Sequence, residues 1–224
     1  MGYLNEAGHK TVSDAVAEAE LQTSGEIVTV LADRSDGYTD VILLWAVGIA
    51  FTAMSIWAVF PTMVLGTIDW AMGGWGHQWT PGEIIAWITG LGLLKFLVAW
   101  LILSWDPLRF LVVPGPVKSS RARDAAVRHF KVGAERRTHG RTGVLLYVSM
   151  REHRAEIVAD QAIATTVDAE VWGQAMADML TEIKEGRLAE GLAAGVRDVG
   201  AVLSEQFPRA EDDQNELPDR LIEV

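Results

Sequence analysis

VILLWAVGIAFTAMSIWAVFPTMVL (Val41–Leu65) and IIAWITGLGLLKFLVAWLILSW (Ile84–Trp105) decide how the chain is arranged. No charged side chain falls between Asp40 and Asp69, and the second stretch holds one charge, Lys95. At about 1.5 Å rise per residue, roughly twenty residues cross a hydrocarbon core of about 30 Å. Both stretches meet that length. They read as a transmembrane hairpin, with spans at 41–65 and 84–105 and the Trp- and Gly-rich connection 66–83 between them. The alternative, two helices buried in a soluble core, fits poorly with apolar runs this long and uncharged.

Orientation follows from the basic residues. The connection 66–83 has no Lys or Arg, whereas Arg34, Arg109, Lys118, Arg121 and Arg123 flank the other ends. The connection therefore belongs outside, and the polar segments 1–40 and 106–208 share the cytoplasmic side with both termini. Trp70, Trp75 and Trp79 on one side, with Trp100 and Trp105 toward the other, suit interfacial anchoring. Met1–Glu20 has no apolar core of a signal peptide, so export of the first segment is not expected. The expected site is the cytoplasmic membrane.

The 224 residues carry a formal charge of −11, which argues against sequence-independent nucleic-acid binding. There are no cysteines, so disulfides and thiolate metal sites are excluded. Without 41–105, about 160 residues remain, enough for one sizeable core.

Asn5–Thr23 has Val12, Ala15, Val16 and Ala19 at helical spacing, and Glu26–Asp33 is a short β-branched run that suits a buried strand. After the second span, the prolines at 107, 114 and 116 predict an extended linker. Ser120–Val132 reads as helix with Ala125, Ala126 and Phe130 inward. Gly143–Ser149 is apolar on both faces and suits a central strand; Arg154–Asp160 follows after a four-residue turn, giving an antiparallel hairpin. Asp168 looks like a helix N-cap. The helix behind it carries Trp172, Ala175, Met179, Leu180 and Ile183, and a second carries Leu188, Leu192, Val196, Val199 and Leu203. Residues 209–224 form an acidic tail, expected to be disordered.

A lone buried strand cannot satisfy its own backbone, so Glu26–Asp33 should pair with Gly143–Ser149. The result is an α/β domain with a small mixed sheet, interrupted in sequence by the hairpin.

Ala126-x-x-x-Phe130, Thr142-Gly-Val-Leu-Leu-Tyr-Val-Ser149 and Arg154-Ala-Glu-Ile-Val-Ala-Asp160 together resemble the TPM domain family. Ala15–Asp33 looks like the beginning of the same domain, and 176–183 with 188–199 like its closing helices. The resemblance implies an α/β/α sandwich in a membrane-anchored bacterial protein. Some members of the family bind calcium or other divalent metals, and some are described as acid phosphatases. Soluble members usually have a Gly-Tyr-Gly-type turn after the third strand; this chain has Asp160-Gln-Ala-Ile163 there, and the hairpin where a long loop would lie.

Ligands of open α/β sheets gather at the carboxyl ends of strands. If the first two strands are parallel, Asp33, Asp36 and Ser149 meet at one edge as oxygen ligands for calcium or magnesium. Asp36-Gly37 is equally an ordinary turn, and Asp33 a strand cap. Asp160 should lie at the opposite edge and form no carboxylate pair with Asp33. His129, His139 and His153 match no zinc spacing, and Arg136, Arg137 and Arg141 form a basic turn that faces lipid headgroups or solvent. Phosphate loops and a nucleophile elbow are absent.

Lys95 is the sharper oddity. An intramembrane lysine costs about 2.5–3.5 kcal/mol on insertion scales, and function is the usual reading. Thr52, Ser55 or a second protein would have to face it, unless the helix tilts or the lysine snorkels. The sequence thus favours a non-enzymatic module in contact with membrane lipid and with a protein partner or a second copy. A divalent-metal-dependent phosphatase is the alternative.

Overall fold

In a computed structural model of the chain, the described residues are 2–72, 78–133, 142–210 and 217–224. Trp75, His139 and the basic turn 136–141 lie outside them. The chain divides into two compact units, one made of 1–36 with 115–224 and the other of 37–114.

The first unit is built on a four-stranded sheet of order β3-β2-β1-β4. β1 (Glu26–Ala32) and β2 (Gly143–Ser149) are parallel and in register from Glu26↔Gly143 to Ala32↔Ser149. β3 (Arg154–Ala159) runs antiparallel to β2. Every residue of β1 and β2 is buried, as strands covered on both faces must be. Alternation then divides their side chains. Ile27, Leu31, Val144, Leu146 and Val148 pack with α1 (Glu6–Glu20), α8 (Ala169–Lys184) and α9 (Leu188–Gln206). Val28, Val30, Ala32, Leu145 and Tyr147 pack with Ala122, Ala125, Ala126 and Phe130 of α6 (Gly115–Gly133). The layers are those of an α/β/α sandwich.

Several expectations need correcting. α6 starts at Gly115, not Ser120, and most of the expected linker is helical as α5 (Asp106–Val112). Pro107 occupies the first turn of α5, where its missing N–H costs nothing, so it starts that helix instead of preventing one. The turn after β3 is α7 (Gln161–Thr166), with Ile163 buried. Asp168 holds the N-cap position of α8 without a side-chain hydrogen bond.

The tail is the largest difference. Leu217 and Leu221 are buried, and β4 (Ile222–Glu223) adds in parallel to β1 at Val30 and Leu31. Its acidic composition conceals this apolar pattern. Near the other end of β1, Glu26 Oε2 accepts from the Leu217 N–H at 3.2 Å, and Glu20 Oε1 accepts from the Ile27 N–H at 2.8 Å. Burial, with Glu26 and Asp219 adding repulsion, raises the Glu20 carboxyl from 4.5 to about 8.

In the second unit, α2 (Thr39–Val59) and α4 (Pro81–Leu103) are each long and apolar enough to cross a membrane. Side chains such as Leu44, Phe51 and Leu101 stand about 70% exposed (73%, 70% and 69%). The expected first span, 41–65, is broken at Phe60. Pro61 cannot donate to the preceding turn, and a separate helix, α3 (Pro61–Met72), begins there. The second span begins earlier than Ile84, because Thr80 and Glu83 form a capping box around Pro81.

Glu20 gives a pH test. Its raised folded pKa makes the protonated form the stabilising one, so its contribution is complete below pH 4.5 and is lost as pH rises through about 8. Glu20→Gln keeps an acceptor for Ile27 without the charge. Thermal unfolding should show the variant gaining on wild type steadily between pH 4.5 and 8.

Candidate functional site

The parallel register of β1 and β2 brings their carboxyl ends together. Met150 N–H donates to Ala32 O, and Arg151 N–H to Asp33 O, both at 3.0 Å. The next four residues of each chain segment therefore form one edge. Asp33 and Ser149 both lie at that edge, but Ser149 is level with Ala32, and the two side chains have different partners. Asp160 lies at the other end, accepting from the Gly143 N–H at 3.1 Å, so it is apart from Asp33.

Each of the three expected oxygen ligands has a protein partner. The Asp33 carboxylate takes the Arg151 Nε–H at 3.0 Å and a short hydrogen bond from the Tyr3 hydroxyl. That phenol, and then Arg151, hold the Asp33 carboxyl below its usual range. Asp36 pairs with Arg121 of α6 at 3.2 Å. Ser149 donates a short hydrogen bond to Glu152. Among the described residues, no group of three or more His, Asp or Glu side chains is close enough together to hold a metal ion.

Glu152, in the turn Met150–His153 between β2 and β3, is a further candidate functional residue at this edge, one that hydrophobic patterning does not mark. Glu152 is 2% exposed. Besides Ser149, it accepts from the Ser35 N–H at 2.9 Å. Ser35 Oγ shares a 3.0 Å hydrogen bond with Tyr147 OH, and burial pushes that phenol up. Tyr147 stacks on His129 of α6 at 5.7 Å between ring centroids, and burial lowers the His129 pKa. A buried carboxylate thus ties the segment after β1 to the end of β2. His153, with φ 51°, takes a left-handed conformation in this turn, which nothing in the residue pattern announces.

This edge can bind polar groups at its rim, where Asp33 and Arg151 are each 39% exposed. The nearby depression of about 650 Å³ is lined by Gly2, Leu4, Gly8, Leu188 and Ala189 among others, with Glu190 as its one charged residue among the described ones.

Glu152 has a measurable structural weight. Glu152→Ala leaves the Ser35 N–H and the Ser149 hydroxyl without their acceptor, and unfolding in denaturant should show a loss of about 1–3 kcal/mol. Glu152→Gln keeps one acceptor oxygen and should lose less.

Residues 109–202 match the family model of the TPM domain. That match takes in α6, β2, β3 and most of the closing helices, and it excludes α1 and β1. No curated protein matches the chain in sequence. The NMR structure of the BA42 protein from the psychrophilic bacterium Bizionia argentinensis is similar in fold. The TM-score is 0.57 at 18% identity, covering 100% of this chain and 97% of that one. Over residues 109–202 the chain is thus similar to the TPM domain, the family that its strand motifs resemble.

Proposed function

We propose that this protein is a two-pass, membrane-anchored TPM-domain module that works through protein contacts, with its folded unit and both termini at the cytoplasmic face. One observation carries the reading: the apolar surface of α2 and α4 faces outward and is far larger than a soluble monomer leaves exposed. The absence of Lys and Arg from 66–83 supports the orientation. At the carboxyl edge, the acids are held by arginines, a tyrosine and a serine, an arrangement suited to holding a surface in shape.

The chain has no cysteine, so single substitutions report topology cleanly. Gly82→Cys, at a position with open space around it, should react with an impermeant maleimide applied to intact cells. Glu205→Cys should react only after the membrane is permeabilised. The reverse pattern, or equal labelling, contradicts the orientation. Light scattering in mild detergent should show a defined oligomer or complex; a strictly monomeric, partnerless chain contradicts the interaction role.

The second reading is a divalent-metal-dependent phosphatase. It is favoured by the position of Asp33 and Ser149 at the carboxyl ends of β1 and β2, the edge where α/β sheets bind ligands. On this reading calcium or magnesium would displace Arg151 from Asp33. Hydrolysis of p-nitrophenyl phosphate that is lost on chelation and in Asp33→Ala would establish it. No turnover, together with no calcium- or magnesium-dependent spectral change, would dismiss it.

A further inference from the structure

Within the hairpin unit, α2 presents Trp45, Gly48, Ile49, Thr52, Ala53 and Ile56 along one face. With Lys95 of α4 they line a groove of about 440 Å³. Gly48 opens onto empty space, so a helix backbone can approach closely there. Thr52, one of the two hydroxyls the sequence offers to Lys95, shares the groove.

Lys95 does not reach for the near end of its helix. In a helix the Cα–Cβ bond tilts toward the N-terminus, which in α4 points Lys95 toward mid-span. Its ammonium lies 5.6 Å from the centroid of the Trp57 ring. It has no hydrogen-bonding or ionic partner among the described residues. A cation–π contact offsets part of the cost of a cation at this depth and leaves its hydrogen-bond donors unused.

We infer that this groove is a docking site for a membrane-spanning helix of another protein that carries a carboxylic side chain at the depth of Lys95. The inference rests on the anchored-module reading above and names its class of partner. Charge complementarity selects the occupant. Small groove residues admit a helix, and an acid supplies what the ammonium lacks.

A second copy of this chain does not fit. Glu83 lies twelve residues before Lys95 in α4, about 18 Å along the axis, and is held in a capping box. The close approach of Gly92 to Met54 fixes the register of the two helices. It puts Asp40 about 16 Å from the Lys95 level along the same axis. Asp69 belongs to α3 and is bonded to Trp79.

The test uses the full chain in phosphatidylcholine vesicles, with an acceptor dye on one introduced cysteine. The probe is a donor-labelled Leu/Ala peptide of about twenty residues, long enough to span, with a single central Glu; its control has Leu at that position. Energy transfer should show the Glu peptide binding at least about tenfold more tightly than the control, a gap worth about 1.4 kcal/mol. Lys95→Leu should erase that preference. Gly48→Ile fills open space without touching the fold, and should weaken binding of the Glu peptide.

Equal binding of the two peptides overturns the assignment, as does a preference that survives Lys95→Leu. Lys95-dependent self-association without peptide also overturns it, because the occupant is then a second copy. Flotation of the chain with the vesicles reads anchoring separately. A chain that does not float overturns the anchored module itself, whereas a floating chain indifferent to the Glu peptide overturns only the docking assignment.

Discussion

The parallel pairing of β1 with β2 is the contact on which the folded unit depends. β1 is seven residues long and buried throughout, so its N–H and C=O groups have no recourse to water. They are satisfied by β2 on one side and, at Val30 and Leu31, by β4 on the other. The partner strand arrives more than a hundred residues later, after the whole of 37–114. Closing such a loop costs entropy that grows only slowly with its length. An insertion of this size between neighbouring strands is therefore thermodynamically tolerable, provided that the pairing it separates is itself strong.

Much of this arrangement was legible in the residues. Continuous apolar runs at Glu26–Ala32 and Gly143–Ser149 declare strands covered on both faces, and the four-residue turn before Arg154 declares an antiparallel neighbour. Where the structure departs from the residue pattern, position outweighs composition. Prolines at 107 and 116 suggest helix breaks, yet both stand near helix starts, where proline is well placed. The acidic composition of the tail suggests disorder, whereas Leu217, Leu221 and Ile222 provide apolar contacts at the sheet. Thr80-Pro-Gly-Glu83 has the spacing of a capping box and could have placed the start of α4.

The carboxyl edge was found less completely. Topology gave Asp33 and Ser149, because parallel strands must end together. It gave no way to see that Tyr3, from before α1, would return to Asp33, or that Glu152 would turn inward to Ser35 and Ser149. Those contacts depend on the left-handed turn at His153 and on where the N-terminal residues lie, neither of which hydrophobic periodicity records. The outcome is an edge whose charges are mostly committed to one another. Lys95, in the other unit, is the contrasting case: a charge visible in sequence whose protein partner among the described residues is an aromatic ring alone.

The most direct measurement joins β1 to β2 chemically. Ala32 and Ser149 are register partners, and no native cysteine can compete for an introduced pair. After oxidation of the Ala32→Cys, Ser149→Cys double variant, the chain is cut at a protease site placed in the connection between α3 and α4. On a denaturing gel, the account predicts that the two pieces stay together without reductant and part when it is added. Pieces that separate under both conditions, with the oxidised protein otherwise folded, would contradict it.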